Sequence, residues 1–397
     1  MCYTCIIIME FVRIGIIGIG NMGRSHGDRL LKNEVPHMRL FAACDIDSEA
    51  RAWAKEHWPN VPIYESAEEM FEKAELDAAL IAVPHFDHAK YTIMAFERGL
   101  HVYCEKPSGV YTKQVMDMIE ASKKYNKVFS AGFQQRTTPV FQKIREMVQS
   151  GELGHIKKII WIITSWYRPQ AYHDSSAWRS TWKYEGGGTI VNQNPHNIDL
   201  FQWMFGMPDQ VLATIDYGKY YDIEVDDDVS VLMRYDNGTI GIYTTSTGEQ
   251  PGTNRLEISC DMGKLVYENG VLTFWRNEMS ERAFNLQNTR SFPSIKCTPE
   301  IIEVPHATMQ QHNALLENFA LAVITGSPLL APGEDSIREV TLADSFYYSD
   351  WTSDWVSTKE FPHDDFYARL MEKGATSTYV KKVHKTEPVD MGASFQK

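Results

Sequence analysis

The chain has 397 residues, 43% of them hydrophobic and 23% charged, which is typical of a globular protein of about two domains. Its 39 Lys and Arg residues against 52 Asp and Glu residues give a net charge of −13 at pH 7. Proteins that bind nucleic acids or anionic membranes need clustered Lys and Arg, so this acidic balance disfavours both partners. We therefore expect a protein that acts on a small molecule. No window of the sequence approaches the ~20 consecutive apolar residues that span a bilayer, so we expect a cytoplasmic protein.

The N-terminal residues predict a short extension rather than a targeting segment. The apolar stretch within residues 1–8 has no basic region before it and no cleavage site after it, and Met9 offers a natural start. Cys2 and Cys5 form a lone C-x-x-C pair, which does not support a zinc or redox site without a second pair. We expect residues 1–8 to be dispensable.

Short apolar runs alternate with helical stretches along the first third of the chain. Strands are predicted at residues 12–17, 40–44, 61–64, 77–83, 100–104 and 127–131, and the stretches between them are predicted to be helical. Such an alternation is typical of a doubly wound parallel sheet. This part of the chain therefore predicts an N-terminal Rossmann domain.

A glycine-rich turn links the first predicted strand to the first predicted helix. It reads Gly18-Ile19-Gly20-Asn21-Met22-Gly23, and its glycines suit a tight turn, a close approach to a pyrophosphate and close helix packing. Asp45 ends the second predicted strand, where its carboxylate can accept ribose hydroxyls and would repel a 2′-phosphate. These features predict NAD as the cofactor. NADP stays open as a less favoured alternative because Arg51 lies nearby in the sequence.

Two further segments follow predicted strands, at the edge where open α/β sheets bind ligands. The first contains Pro84, His85 and His88, and the second is Glu105-Lys106-Pro107. Both combine titratable side chains with a proline close to a strand end. We expect them to lie beside the cofactor.

A third motif lies in the second half of the chain. The triplet Gly186-Gly187-Gly188 is followed by Asn192, His196 and Asp199 with the spacing N-x-x-x-H-x-x-D. Together with the preceding motifs, this block resembles the glucose–fructose oxidoreductase / inositol dehydrogenase / MocA (Gfo/Idh/MocA) family over the whole chain after residue 9. The chain departs from the family pattern at His85, which is usually Asn, and at Asn192, where inositol-dehydrogenase-like members carry Asp.

The resemblance implies both a fold and a set of cofactor contacts. The implied fold is a Rossmann domain joined to a C-terminal α+β domain with a large, mostly antiparallel open sheet. The implied NAD-binding residues are Gly18, Ile19, Gly20, Asn21, Met22, Gly23, Asp45, Pro84, His85, His88, Glu105 and Lys106. For His88, a plain position in the first turn of a helix is an equal alternative, and Glu105 is expected to organise the loop rather than perform chemistry.

The resemblance makes Lys106 and His196 the expected catalytic residues, for hydride transfer between nicotinamide and a secondary alcohol. Oxidising a CH–OH group needs an acceptor for the hydroxyl proton and a positive or hydrogen-bonding group at the developing alkoxide. An imidazole is the better acceptor near neutral pH, whereas a lysine, with an ordinary pKa of ~10.4, acts as a base only when its environment lowers that pKa. Helix capping is the alternative role for His196.

Longer alternating runs dominate residues 155–276 and include the hairpin signals Asp236-Asn237-Gly238 and Asn269-Gly270. They predict a largely antiparallel sheet that packs one face on helices and pairs the other with a second subunit, giving a dimer or tetramer. The predicted division of the chain is an NAD-binding domain 9–132, a substrate and oligomerisation domain 133–374 whose helices at about 307–350 pack back on the first domain, and a loose polar tail 375–397.

Aromatic and basic residues cluster before the glycine triplet. Flat rings cover the C–H surfaces of sugars and guanidinium groups donate to their hydroxyls, so this segment predicts a carbohydrate or cyclitol site. The expected substrate-binding residues are Lys106, Arg168, Tyr172, Trp178, Arg179, Asn192 and His196. For any single Trp, a core position is an equal alternative. No metal is predicted, because no His/Cys group has ligand spacing and the acidic run 224–228 is expected to be a solvated strand entry.

The leading function is that of an NAD-dependent dehydrogenase of a sugar, a sugar derivative or a cyclitol. One alternative is an NAD-dependent glycosidase that oxidises its substrate transiently, eliminates and then reduces it without consuming NAD. The other is a non-catalytic sugar or nucleotide sensor on the same fold, which the presence of Lys106 and His196 disfavours.

Overall fold

The structure is a computed structural model that describes residues 10–384. The predicted extension 1–8 and the last part of the predicted tail, 385–397, lie outside the described residues. The described chain divides into two compact units, one formed by residues 10–137 and 308–337 and the other by residues 138–307 and 338–384. Within the described part, no helix combines the length and the apolar character needed to cross a membrane.

The elements are as follows. The described strands are β1 (Val12–Ile17), β2 (Met38–Cys44), β3 (Ile63–Tyr64), β4 (Ala78–Ile81), β5 (His101–Cys104), β6 (Phe129–Ala131), β7 (Ile156–Ile163), β8 (Gln210–Tyr217), β9 (Asp226–Arg234), β10 (Ile240–Ser246), β11 (Asn254–Cys260), β12 (Gly263–Glu268), β13 (Val271–Asn277), β14 (Cys297–Ile301) and β15 (Val356–Ser357). The described α-helices are α1 (Asn21–Leu31), α2 (Ser48–His57), α3 (Ala67–Lys73), α4 (His88–Glu97), α5 (Thr112–Lys124), α6 (Pro139–Gln149), α7 (Gln170–His173), α8 (Thr189–Asn192), α9 (Pro195–Phe205), α10 (Glu281–Gln287), α11 (Gln311–Thr325), α12 (Ser336–Thr352) and α13 (His363–Thr376).

The described residues of the first unit form a six-stranded sheet in the order β3-β2-β1-β4-β5-β6, with every pair parallel. Val12, Ile14 and Ile16 of β1 are completely buried, as expected for a parallel sheet that helices cover on both faces. The strand order reverses between β1 and β4, so the ends of these strands border the crevice at which such sheets bind ligands. The predicted doubly wound parallel sheet is confirmed.

Helix α11 returns to the first unit after the chain has passed through the second. Its Leu315 and Phe319 are completely buried in the hydrophobic cluster that contains β1 and β2. Helix α12 differs from the expectation that both helices of this region cover the first domain. From Arg338 onward it belongs to the second unit, where the Ser349 hydroxyl accepts a hydrogen bond from the Ala213 N–H of β8 at 3.0 Å.

In the second unit, the described residues form a nine-stranded sheet in the order β14-β13-β12-β11-β7-β10-β9-β8-β15. Strand β7 pairs parallel with β10, and the other described pairs are antiparallel. The predicted mostly antiparallel sheet is therefore confirmed. Edge strand β14 was not predicted, because all its residues are exposed and it has no alternation of buried and exposed positions.

The described part of the predicted tail is held against the second unit. The Tyr379 hydroxyl donates to the Asp222 carbonyl at 2.6 Å, and Nζ of Lys381 donates to the His173 carbonyl at 2.6 Å. The expectation of a loose tail is therefore wrong for residues 377–384. Their partners are remote in sequence, so a polar composition alone does not reveal them.

A buried cation stabilises the first unit beyond β6. Arg136 lies in the 3₁₀ turn Gln134–Thr137, and its side chain is completely buried. Its guanidinium donates to Oδ2 of Asp335 at 2.7 Å and to the Leu330 carbonyl at 3.2 Å. Removing the partner of a buried charge destabilises a fold, because the cost of desolvation is then no longer offset.

Asp335→Asn is therefore expected to lower the free energy of unfolding by about 2 kcal/mol, because the ion pair between Arg136 and this carboxylate is lost. Asp335 is 24% exposed, which places the effect below that of a fully buried pair. Chemical denaturation followed by circular dichroism measures the change. Asp117→Asn, which removes the exposed partner of Lys113, is the control and should change stability little. Equal losses in the two variants would contradict this account of Arg136.

Candidate active site

The glycine turn lies between β1 and α1. Gly18 has a φ of +95°, and a Cβ at Gly23 would lie 1.9 Å from the Gly18 carbonyl oxygen, so neither position accommodates a side chain. A Cβ at Gly20 would meet no heavy atom within 4 Å, which leaves open space beside this backbone. Helix α1 begins at Asn21 without a side-chain cap, and half-buried Met22 lies in its first turn. The turn thus fits a pyrophosphate, which binds backbone N–H groups at helix N-termini.

Asp45 directly follows β2, and its carboxylate is tied to the glycine turn. Its Oδ2 accepts a hydrogen bond from the Ile19 N–H at 2.6 Å, and its Oδ1 accepts one from the Asp47 N–H at 2.8 Å. Arg51 donates to the Asp45 carbonyl at 3.0 Å and pairs with Glu65 at 3.1 Å. The carboxylate therefore stands at the strand end beside the turn, whereas the guanidinium of Arg51 is engaged by protein acceptors.

The segment Glu105-Lys106-Pro107 follows β5, and its Lys106–Pro107 peptide bond is cis. Glu105 is 4% exposed, and its Oε1 lies 2.7 Å from Nε2 of His26, an α1 residue that the sequence analysis missed. Burial raises the pKa of Glu105, but the hydrogen bond and charge of His26 outweigh burial and lower the pKa to about 2. The carboxylate also accepts the Lys106 N–H at 3.2 Å. The buried pair thus fixes the backbone that carries half-buried Lys106.

The residues after β4 link that strand to the same segment. Pro84 is exposed, whereas His85 and His88 are buried with their rings 5.9 Å apart. Nδ1 of His88 lies 2.7 Å from the Pro107 carbonyl, and Nε2 lies 2.8 Å from the Val83 carbonyl. Burial lowers the pKa of His88, although the two carbonyl contacts oppose that shift. His88 therefore braces the segment, and its direct contact with a cofactor stays a prediction.

Close packing explains the glycine triplet of the second unit. A Cβ at Gly187 would lie 2.2 Å from the Tyr347 hydroxyl oxygen, and a Cβ at Gly188 would lie 2.1 Å from the Asp226 carbonyl oxygen. The Asp226 carboxylate accepts hydrogen bonds from the N–H groups of Gly188 and Ile190 at 2.7 and 2.8 Å, and from the Tyr347 hydroxyl. These contacts fix where α8 begins and hence where the residues after the triplet lie.

The acidic run 224–228 is not the solvated strand entry that the sequence predicted. Asp226 and Asp227 are 1% and 0% exposed, and Asp227 accepts the N–H groups of Lys219 and Tyr220 at 3.0 and 2.8 Å. Burial raises the pKa of both carboxyl groups against these hydrogen bonds. Among residues 10–384, no group of three or more His, Cys, Asp or Glu side chains is placed to hold a metal ion.

Most of the predicted substrate-binding residues of the second unit surround Tyr172. The guanidinium carbons of Arg168 and Arg179 lie 5.2 and 4.4 Å from the centre of its ring, and Arg179 also lies 4.6 Å from the Trp178 ring. Nη1 of Arg179 donates to the Tyr172 hydroxyl at 2.6 Å. That hydroxyl lies 3.5 Å from Oδ1 of Asn192. The fold therefore assembles a cluster of aromatic, cationic and amide groups.

Three buried polar atoms of this segment have no hydrogen-bond partner among the described residues. They are Nε2 of His173, Oγ of Ser176 and Nε of Arg179. Buried polar atoms in folded proteins nearly always have partners, so each of these atoms requires an explanation. A ligand rich in hydroxyl groups would supply both the donors and the acceptors.

Glu185, which the sequence analysis missed, lies beside Asn192. Its side chain is 1% exposed and accepts hydrogen bonds from the Asn192 side-chain amide and from the Ser180 N–H. Nη1 of Arg179 lies 3.9 Å from Oε1 of Glu185. Burial raises the pKa of Glu185 to about 7, against the lowering effect of Arg179 and the two hydrogen bonds. The one feature of the sequence that could have pointed to Glu185 is its place directly before the glycine triplet.

His196 occupies the first turn of α9 and is 4% exposed. The preceding Asn194 is anchored, because its Oδ1 accepts a hydrogen bond from the Tyr243 hydroxyl at 2.7 Å. Asp199, the last residue of the motif, is completely buried and accepts a hydrogen bond from Nε2 of Gln202 at 2.9 Å. The imidazole of His196 is therefore carried by a rigid, buried helix start.

Two sequence-family models match this chain. The model described as "Oxidoreductase family, NAD-binding Rossmann fold" matches residues 12–133. The model described as "GFO/IDH/MocA C-terminal domain" matches residues 141–266. Together they span most of the first two thirds of the chain.

Several characterised proteins are similar in sequence. Myo-inositol 2-dehydrogenase of Thermotoga maritima is 26% identical over 65% of this chain and 75% of its own length. D-glucoside 3-dehydrogenase of Escherichia coli is 28% identical over 50% of this chain and 55% of its own length. D-xylose 1-dehydrogenase (NADP(+)) 2 of Haloferax volcanii is 26% identical over 84% of this chain and 96% of its own length.

Solved structures share the fold at lower identity. Levoglucosan dehydrogenase, in complex with NADH and levoglucosan, has a TM-score of 0.74 at 18% identity over 88% of this chain and 100% of its own. The WlbA dehydrogenase of Bordetella pertussis, in complex with NADH and UDP-GlcNAcA, has a TM-score of 0.73 at 21% identity over 87% of this chain and 98% of its own. On the strength of the two family models and the shared fold, the chain belongs to the Gfo/Idh/MocA family of NAD-binding oxidoreductases.

Proposed function

We propose that this protein is an NAD-dependent dehydrogenase that oxidises or forms a secondary alcohol on a sugar, a sugar derivative or a cyclitol. The observation that carries the proposal is the cluster around Tyr172, in which Arg168, Arg179 and Asn192 present donors and acceptors beside aromatic rings. Such a surface suits a ligand with many hydroxyl groups and short C–H faces. Relatives named as dehydrogenases of inositol, a glucoside and xylose support the same class.

The proposed cofactor is NAD rather than NADP. The carboxylate of Asp45 suits two ribose hydroxyls and would repel a 2′-phosphate. Arg51, the nearby cation, is engaged by the Asp45 carbonyl and by Glu65. The glycine turn adds a backbone surface that lies open beside Gly20.

The proposed catalytic residues are Lys106 and His196. When bound, NAD supplies the acceptor for the hydride that leaves the alcohol carbon. His196 accepts the hydroxyl proton as the C–O bond becomes a carbonyl, and the Lys106 ammonium stabilises the negative charge that develops on the oxygen. Glu105 and His26 support this chemistry by holding the backbone of Lys106.

We also propose that the chain forms a homo-oligomer through the open face of the nine-stranded sheet. Leu232 on β9 and Trp275 on β13 are 36% and 44% exposed, on the side of the sheet away from its buried residues. Apolar side chains on an open sheet face are typical of a surface that a second subunit covers.

A cytoplasmic location is part of this proposal and rests on composition alone.

A panel of monosaccharides, glycosides and inositols, assayed with NAD and with NADP, tests the function. We expect absorbance at ~340 nm to rise with at least one panel member and NAD, because hydride transfer produces NADH. The mass of the product should be lower than the mass of the substrate by two hydrogen atoms. Glycoside cleavage without net NADH would support the glycosidase alternative, and nucleotide binding without turnover of any panel member would support a sensor.

Lys106→Ala is expected to lower kcat/KM by about 10²- to 10⁴-fold, because it removes the charge that stabilises the developing alkoxide. NADH binding, measured by fluorescence titration, should be retained because most proposed cofactor contacts come from the glycine turn and Asp45. Lys113→Ala, on the exposed face of α5, is the control and should keep normal turnover. Full turnover in Lys106→Ala would remove this residue from the mechanism.

Asp45→Asn is expected to shift the cofactor preference toward NADP by about tenfold or more in the ratio of kcat/KM values, because the negative charge facing the 2′ position is lost. Asparagine keeps an oxygen that can accept the Ile19 N–H. Asp47→Asn is the matched control, since its side chain only caps the N–H of Glu49. An unchanged preference in Asp45→Asn would contradict the assignment of this residue to the ribose.

A further inference from the structure

We propose that Glu185 is a positioning residue of the substrate site, which fixes the orientation of the Asn192 amide. The inference rests on the proposed function, because Asn192 matters there as a ligand of a substrate hydroxyl. Glu185 itself touches Asn192, not the substrate.

The contacts of Glu185 lie entirely within the second unit. Its Oε1 accepts a hydrogen bond from Nδ2 of Asn192, and its Oε2 accepts one from the Ser180 N–H. Nη1 of Arg179 lies 3.9 Å from Oε1, beyond direct hydrogen-bond distance. Both carboxylate oxygens of Glu185 therefore accept a hydrogen bond. One of the two donors is the Asn192 amide, which Glu185 orients.

This bond decides which end of the Asn192 amide faces the Tyr172 cluster. Because Nδ2 is held by Glu185, Oδ1 points to the other side, where it lies 3.5 Å from the Tyr172 hydroxyl. That hydroxyl already accepts hydrogen bonds from Nη1 of Arg179 and Nε2 of Gln193, at 2.6 and 3.1 Å. Its own hydrogen is therefore available to Oδ1, and this contact requires that Asn192 present its oxygen.

A glutamine at position 185 would reverse this arrangement without removing the contact with Ser180. Its amide oxygen can still accept the Ser180 N–H, which leaves its NH2 group facing Nδ2 of Asn192. Two donors cannot bond to each other, so Asn192 must turn its oxygen toward residue 185 and its NH2 group toward Tyr172. Glu185→Gln therefore separates a positioning role from a purely structural one.

The ionisation of Glu185 should change the strength of its hydrogen bond with Asn192. Burial and the charge of Asp226 raise its pKa to about 7, while Arg179, Ser180 and Asn192 lower it, and Lys381 also faces it. Above pH 7 the carboxylate accepts from Asn192. Below pH 7 the protonated acid becomes a donor and weakens the hold on Nδ2, so the apparent affinity for substrate should fall as the pH decreases through 7.

The proposal is tested by exchanging the carboxylate and the amide between positions 185 and 192. Glu185→Gln is expected to raise KM for the best panel substrate by about tenfold, with KM for NAD unchanged, because Asn192 presents the wrong group. Asn192→Asp should be impaired most at high pH, where both carboxyl groups are ionised and repel each other. The double variant restores an amide–carboxylate bond of reversed polarity and should return KM to within about threefold of the original value.

Two further readouts distinguish positioning from general damage. The pH profile of KM should show an inflection near 7 in the natural protein and none in Glu185→Gln. In protein labelled with ¹⁵N-asparagine, the Asn192 side-chain amide, assigned through Asn192→Asp, should titrate with the same midpoint. Asp227→Asn, which alters another buried carboxyl of this unit, is the matched control and should leave both readouts unchanged.

The outcomes separate this inference from the proposed function. If the Asn192 resonance titrates near pH 7 but no panel alcohol is turned over, the positioning contact stands and the proposed activity fails. If turnover is found but the double variant recovers no affinity, or if the Asn192 amide does not respond to pH near 7, the role of Glu185 is overturned.

Discussion

The second unit depends on the hydrogen bonds that Asp226 accepts in its interior. A buried carboxylate is costly unless donors surround it, and here the donors are the N–H groups of Gly188 and Ile190 and the Tyr347 hydroxyl. Satisfying this one group fixes the last glycine of the triplet, the first turn of α8 and the side of α12 that packs there. Because α8 ends at Asn192, the same hydrogen bonds determine where that amide lies.

Glu105 and Glu185 respond to burial in opposite ways because their partners differ. Glu105 has His26 at 2.7 Å, and this contact lowers its pKa to about 2 despite complete burial. Glu185 has its nearest cation, Arg179, at 3.9 Å and feels the like charge of Asp226, so its pKa rises to about 7. The first carboxylate is therefore a fixed anion that anchors a backbone. The second can change its charge in the physiological range.

Much of the fold could be predicted from the sequence because its signals are local. The central strands β1 and β4 are apolar runs, since they are buried on both faces, and the glycine turn lies within six consecutive residues. The buried acids could not be predicted in this way. Asp226 looks like part of a solvated acidic run until Tyr347, 121 residues away, is brought to it. The contact between Lys381 and His173 spans 208 residues and is equally invisible in the sequence.

The departure at Asn192 shows why a motif has to be interpreted together with its surroundings. Taken by itself, asparagine in place of the aspartate of inositol-dehydrogenase-like members removes a charge from the motif. In the structure, a buried carboxylate lies within one hydrogen bond of Asn192, on Glu185, where it accepts from Nδ2 of the amide. The arrangement presents a neutral amide oxygen to the Tyr172 hydroxyl and keeps the carboxylate on the opposite side of the amide.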